Sequence, residues 1–153
     1  MIEQLVLGVK HLHEKKIIHR DIKAENIFRT ADDKYKIGDL GMSKIVYESK
    51  EYLSTRVGTP IYFPPEMVQH RIYSFPVDIW ALGCVFYYMA ALDHPYSDAS
   101  IETLGYYIVD KDPRPIKGAY SPQLISFILS LLDKNPETRP TIHDIYKKLR
   151  ARK

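Results

Sequence analysis

His19-Arg20-Asp21-Ile22-Lys23-Ala24-Glu25-Asn26 is the stretch on which the fold of this chain turns. Three further pieces follow it in order: Asp39-Leu40-Gly41, Gly58-Thr59-Pro60 and Pro64-Pro65-Glu66. Taken singly, each has a plain reading. Asp21 can be a turn residue, Asn26 a helix cap, and Asp39-Leu40-Gly41 an ordinary turn. Their order and spacing carry the information. Between Asp21 and Asp39, Ile27-Phe28 and Tyr35-Lys36-Ile37 read as short strands joined by a polar turn at residues 30–33. The step from Asp21 to Asp39 therefore spans one hairpin. Ile17-Ile18, just upstream, reads as another short strand.

Working outward, the chain is mainly helical. Ile2, Leu5, Val6, Val9 and Leu12 have helical spacing, which predicts an amphipathic helix over residues 2–13. Residues 42–60 mix Ser, Thr, Tyr and charge without a period and read as a long loop, a length usually tied to function. A short helix is expected over 65–70. A long one over about 75–91 is apolar all round and should be buried. Ser100 is placed to cap a helix running to about residue 109. Ser121-Pro122 opens another, with Leu124, Ile125, Ile128, Leu129 and Leu132 as its apolar face and Asn135-Pro136 as its stop. Thr141 with Asp144 three residues on forms a capping-box pattern, and Ile142, Ile145 and Leu149 mark the last helix.

The totals exclude several classes. The 153 residues suffice for one domain with a core. The balance of 22 basic against 19 acidic residues, net +3, gives no reason to expect nucleic acid or a membrane surface as partner. The longest nearly uncharged run, residues 79–92, is shorter than the roughly 20 residues a membrane-spanning helix needs. The one cysteine, Cys84, lies in that apolar run and has no partner for an internal disulfide, which suits a reducing compartment. Met1-Ile2-Glu3-Gln4 does not begin a charged-then-apolar leader. An intracellular location, cytoplasmic or nuclear, is expected. The histidines at 11, 13, 70, 94 and 143 lack metal-ligand spacing and are assigned no function.

With the motifs in view, the chain resembles the C-terminal lobe of a Ser/Thr protein kinase from end to end. The resemblance implies a mainly α lobe with short hairpin strands near its N-terminus, spanning residues 1–153. Residues 19–26 would be the catalytic loop and 39–66 the activation segment. It implies ATP and Mg2+ as cofactors and protein Ser/Thr hydroxyls as acceptors. Asp21 would accept the substrate hydroxyl proton, and Lys23 would set a cation near the transferring phosphate. Asn26 and Asp39 would hold magnesium, both being oxygen ligands as a hard ion requires. Phe28 would floor the adenine pocket. Thr59 would contact Asp21 and Lys23 and shape the pocket that follows the acceptor. Glu66 would pair with Arg139, and Asp78 would hold the catalytic-loop backbone. Leu40 stands where the family usually has phenylalanine, apolar enough to pack against His19. Gly58-Thr59-Pro60-Ile61-Tyr62 and Asp78-Ile79-Trp80-Ala81-Leu82-Gly83-Cys84 look most like NIMA-related kinases, and Pro64-Pro65-Glu66-Met67 more like Aurora kinases.

Arg20 before Asp21 resembles kinases switched by loop phosphorylation. A phosphate adds about two negative charges that need cationic partners. Thr55 matches the regulatory position, with Ser54 as runner-up, and Arg20 and Lys44 are the candidate cations. An upstream activating kinase is then an implied partner. Glu25 stands where some kinases read a substrate arginine, although a surface glutamate is the commoner meaning. The glycine-rich strand pair, strand lysine and helix glutamate of a kinase upper lobe do not occur in the sequence. Two expectations follow. The chain is the lower lobe of an active enzyme, inactive alone, or it is a half-kinase that binds proteins without catalysis. Asp21, Lys23, Asn26 and Asp39 favour the first, because a scaffold has no chemical need for all four.

Overall fold

A computed structural model describes residues 1–46 and 53–151. The first helix, α1 (Ile2–Glu14), buries Leu5, Val6 and Val9, as its spacing predicts. Four short strands follow: β1 (Ile17–Ile18), β2 (Ile27–Arg29), β3 (Tyr35–Ile37) and β4 (Lys44–Ile45). The β2–β3 hairpin pairs Ile27 with Ile37 and Arg29 with Tyr35. Its polar turn closes where the Thr30 N–H donates to the Lys34 carbonyl at 2.8 Å. Gln4 Oε1 accepts the Tyr35 N–H at 2.9 Å and fastens the hairpin to α1.

The strand β4 falls in the stretch expected to be loop. It pairs antiparallel with β1. A two-residue strand has no internal period, and only a distant partner makes it one. Residues 47–52 of that stretch lie outside the described residues. Beyond them, Leu53 bridges to Tyr73.

Five helices follow: α2 (Pro65–Val68), α3 (Pro76–Ala91), α4 (Leu104–Asp110), α5 (Pro122–Leu131) and α6 (Ile142–Arg150). Helix α3 is the centre of the molecule, with every residue from Val77 to Tyr87 buried. It ends where Leu92 turns left-handed at φ 54°. Gly83 lets α5 approach closely. A Cβ there would stand 2.9 Å from Leu131 Cβ and Leu132 Cδ2, so a larger residue forces the two apart. Helix α6 carries the expected capping box in full, with Thr141 and Asp144 bonded reciprocally.

Three boundaries and one face differ from the sequence reading. Helix α2 stops at Val68, not 70. Helix α4 starts at Leu104 because Ser100 first closes a separate turn, its carbonyl accepting the Thr103 and Leu104 N–H groups. Helix α5 ends before Asn135-Pro136. There the Asp133 and Asn135 side chains accept the backbone N–H groups of Asn135 and Glu137, drawing them from helical bonding. On α5, Leu129 is exposed, and Phe127 and Leu131 share the buried face with Ile128.

Candidate active site

The segment 19–26 leaves β1 and closes in a single 3-10 turn at Ala24–Asn26. Its backbone is strained. Arg20 is left-handed at φ 70° without being glycine, a state costing about 1–3 kcal/mol unless its surroundings enforce it. Asp78, 1% exposed on α3, supplies the enforcement. Its Oδ1 accepts the Arg20 N–H and its Oδ2 the His19 N–H, both at 2.9 Å. The same Oδ2 meets His13 Nε2 at 2.9 Å. The His19 ring continues the frame. Its Nε2 donates to the Gly38 carbonyl at 3.0 Å, leaving Nδ1 to accept the Asp21 N–H at 3.3 Å.

On this frame the polar side chains converge. Asp21 Oδ1 accepts the Thr59 hydroxyl at 3.1 Å. Its Oδ2 meets Lys23 Nζ at 3.1 Å and Asn26 Nδ2 at 3.2 Å. Asn26 Nδ2 also donates to the Asp21 carbonyl at 2.9 Å, and Lys23 Nζ donates to Thr59 Oγ1 at 3.0 Å. Thr59 reaches this position because Gly58 adopts φ 107° against the Arg20 carbonyl. A Cβ on Gly58 would lie 2.5 Å from that oxygen. Tyr62 adds a link by accepting the Ala24 N–H at 3.4 Å. Burial pushes its phenol up to about 12, so it stays neutral at ordinary pH.

Asp39 lies beyond the hairpin, exposed, at φ 59°, with Oδ1 accepting the Gly41 N–H at 3.1 Å. Phe28 is 54% exposed, its ring packed over Gly38. Leu40 is also exposed, at 53%. Read as apolar enough to pack against His19, it keeps half of its surface open. Lys44 is exposed on β4 and makes no ion pair among the described residues. The Thr55 side chain is exposed, while its carbonyl accepts the Tyr73 hydroxyl at 2.5 Å.

Glu66 and Arg139 form a two-pronged pair. Arg139 Nη1 meets Oε1 at 2.8 Å and Nη2 meets Oε2 at 3.0 Å, with side-chain exposures of 0% for Arg139 and 3% for Glu66. Arg139 also donates to the Pro76 and Asp133 carbonyls, each at 2.9 Å, and lies over the Trp80 ring. The guanidinium thus joins the end of the 39–66 segment to α3 and to the turn before α6.

Residues 1–149 match the protein kinase domain family. The chain belongs to that family. It is 36% identical to serine/threonine-protein kinase Nek4 of Mus musculus over 144 residues, which is 94% of this chain and 18% of the relative. It is 40% identical to Nek5 of Homo sapiens over 146 residues, 95% and 21%. With Nek1 of Mus musculus the identity is 37% over 145 residues, 95% and 12%. The kinase domain chain thus spans about a fifth or less of these NIMA-related relatives. No helix among the described residues is long and apolar enough to cross a membrane.

The family generally works with ATP and Mg2+. The donor set present here fits the ion. Asn26 spends its amide N–H on Asp21 and keeps its oxygen, and Asp39 keeps Oδ2. Two oxygen ligands suffice for magnesium, which keeps waters and binds phosphate oxygens for the rest.

Several residues of the site frame carry no signal in the sequence. His13 was assigned no function for want of metal-ligand spacing, yet it shares Asp78 from 65 positions away. Tyr73, one of twelve tyrosines, bonds Arg20 and Thr55. Lys134 donates to Tyr96 Oη at 2.6 Å and to the Ile108 carbonyl at 2.5 Å, and lies over the Trp80 ring. Burial pushes its ammonium down to about 8. The apolar run of α3 could have marked Trp80 as core, but not Tyr96, which lies in the turns between α3 and α4, nor the cation between them.

Proposed function

We propose that this chain is the C-terminal lobe of a Ser/Thr protein kinase that transfers the ATP γ-phosphate to protein Ser or Thr hydroxyls. The observation that carries the reading is the Asp21–Lys23–Thr59 triangle, with Asn26 on the same carboxylate. Asp21 is the base. Its Oδ1 now accepts a hydrogen bond from the Thr59 hydroxyl, and a substrate hydroxyl presented at the same edge would be held the same way and then give up its proton to the carboxylate as phosphoryl transfer proceeds. Lys23 spans Asp21 and Thr59 and supplies positive charge where phosphate charge develops. Asn26 and Asp39 are the residues that would hold Mg2+, which neutralises phosphate charge when bound. Thr59, fixed by Lys23, favours Ser and Thr over Tyr acceptors.

Phosphoryl transfer depends mainly on positioning. The cavity beside Asp21 is about 10 Å³, bounded by Arg20, Thr59, Tyr62 and Asp78. That is room for about one water, and the cavity involves none of Asn26, Phe28 and Asp39; Phe28 is 54% exposed, a face left for an upper lobe to cover. This supports a second part of the reading: the lower lobe alone is inactive, and protein substrates are engaged only by the two-lobed enzyme.

The test joins this chain to a kinase upper lobe carrying the glycine-rich loop and strand lysine. The joined protein should phosphorylate casein on Ser and Thr. Asp21→Asn should abolish transfer without lowering the melting temperature by more than a few degrees. The 153-residue chain alone should be inactive. Transfer by the chain alone at ordinary kinase rates would refute the lobe assignment. A joined protein that binds casein but never phosphorylates it would favour a binding module.

A further inference from the structure

Tyr73 touches both the residue before Asp21 and the stretch that carries Thr55. It is 3% exposed, in a small core cluster with Ile18, Val46, Phe63, Met67 and Val77. Its neighbour Ile72 is 61% exposed, so the side chain is drawn inward against the run of the loop. Its backbone N–H donates to the Leu53 carbonyl at 2.9 Å, and its carbonyl accepts the Leu53 N–H at 2.8 Å. Its hydroxyl donates to the Thr55 carbonyl at 2.5 Å and accepts from Arg20 Nη1 at 3.5 Å. Arg20 Nε in turn donates to the Met42 carbonyl. One residue therefore makes three hydrogen bonds to residues 53–55 and a fourth to Arg20. The Thr55 side chain remains exposed while its backbone is held.

We propose that Tyr73 is a positioning residue that holds the backbone of Thr55 beside Arg20 before Thr55 carries a phosphate, and so sets the activity of the unphosphorylated enzyme. This rests on the kinase reading of Asp21 and Thr55. The phenol supplies a neutral bond to the Thr55 carbonyl and leaves Arg20 within reach. A phosphate on Thr55 offers the guanidinium charge-assisted bonds, about twice as strong as neutral ones. Once those form, the phenol bond is redundant. Tyr73 is then a substitute for the modification, effective only until the modification arrives.

The variant is Tyr73→Phe, which keeps the ring in its core cluster and removes only the hydroxyl. In the chain joined to an upper lobe, phosphatase-treated protein should lose roughly fivefold in kcat, the loss of one neutral hydrogen bond. The Thr55-phosphorylated form should lose less than about twofold, since its order rests on charge-assisted bonds. A merely structural role lowers both forms alike, and that result would overturn the proposal. A second arm needs no catalysis. In the 153-residue chain, tryptic cleavage between Arg56 and Val57 should quicken in Tyr73→Phe, while cleavage after Lys117 stays unchanged as reference. Unchanged cleavage at Arg56 would also overturn it. If cleavage quickens but the joined parent protein is inactive, the kinase reading has failed and the clamp stands.

Discussion

Arg139→Ala should be among the most damaging single changes in this chain. The substitution leaves the Glu66 carboxylate 3% exposed, without its only side-chain partner among the described residues. It also frees the Pro76 and Asp133 carbonyls that the guanidinium now satisfies. Removing one member of a buried pair costs about 3–5 kcal/mol. For a domain of this size each kcal/mol lowers the melting temperature by about 2–4 °C, so the expected fall is roughly 6–20 °C. Arg150→Ala is the control. Its guanidinium is 57% exposed and 3.6 Å from Glu3, and such a surface pair contributes about 1 kcal/mol or less. Thermal melts followed by circular dichroism give the comparison. If Arg139→Ala does not fold, Arg139→Lys keeps the charge and loses the fork, and should fall between the two. Removing both charges in Glu66→Leu/Arg139→Met should recover part of the loss, because no carboxylate is then stranded. Recovery should be incomplete, since the two carbonyls stay unpaired. Equal melting shifts for Arg139→Ala and Arg150→Ala would refute the reasoning.

Three further outcomes are expected. In the chain joined to an upper lobe, Thr55→Ala and Arg20→Ala should each lower activity, with little further loss in the double variant; losses that multiply would show the two act separately. Gly58→Ala forces a Cβ against the Arg20 carbonyl at a φ of 107°; it should cost about 1–3 kcal/mol in urea unfolding and displace Thr59 from Asp21, which an unchanged KM and kcat would disprove. Lys134, pushed by burial from 10.5 to about 8, binds fewer protons folded than unfolded between those values. Its cost to stability is therefore present in full below pH 8 and relieved as pH rises. Between pH 7.5 and 9.5 the linkage amounts to about 2 kcal/mol, and solvent screening of this half-buried ammonium cuts it to about 1 kcal/mol, the gain expected for wild type over Lys134→Met; a flat or falling difference would exclude the effect. Above pH 10 the raised Tyr62 phenol works in the opposite sense.

Features carried by adjacent residues were legible in the sequence. The β2–β3 hairpin, the capping box at Thr141 and the buried span of α3 each follow from a period or a local pair. The order of Asp21, Asn26, Asp39 and Thr59 pointed to one family before any coordinates. What stayed hidden depends on partners far along the chain. Strand β4 exists only because β1 lies beside it. His13 looks like any helix-end histidine until Asp78 arrives. Leu129 and Phe127 both fit a helical stripe, and only the packing of α5 on α3 decides which is buried. Leu40 is apolar at a position read as able to pack against His19, yet it is 53% exposed, which residue type alone does not tell.

Asp78 has a consequence for how such a molecule fails. A single carboxylate on the central helix accepts from His13, His19 and Arg20. The strained turn ahead of Asp21 has no reserve of its own and borrows its shape from α3. Any event that displaces α3 should then erase the shape of this turn at once, whatever the state of residues 53–59. Loss of this turn by heat or urea would run in step with the unfolding of α3, whereas loosening of residues 53–55 would leave it standing.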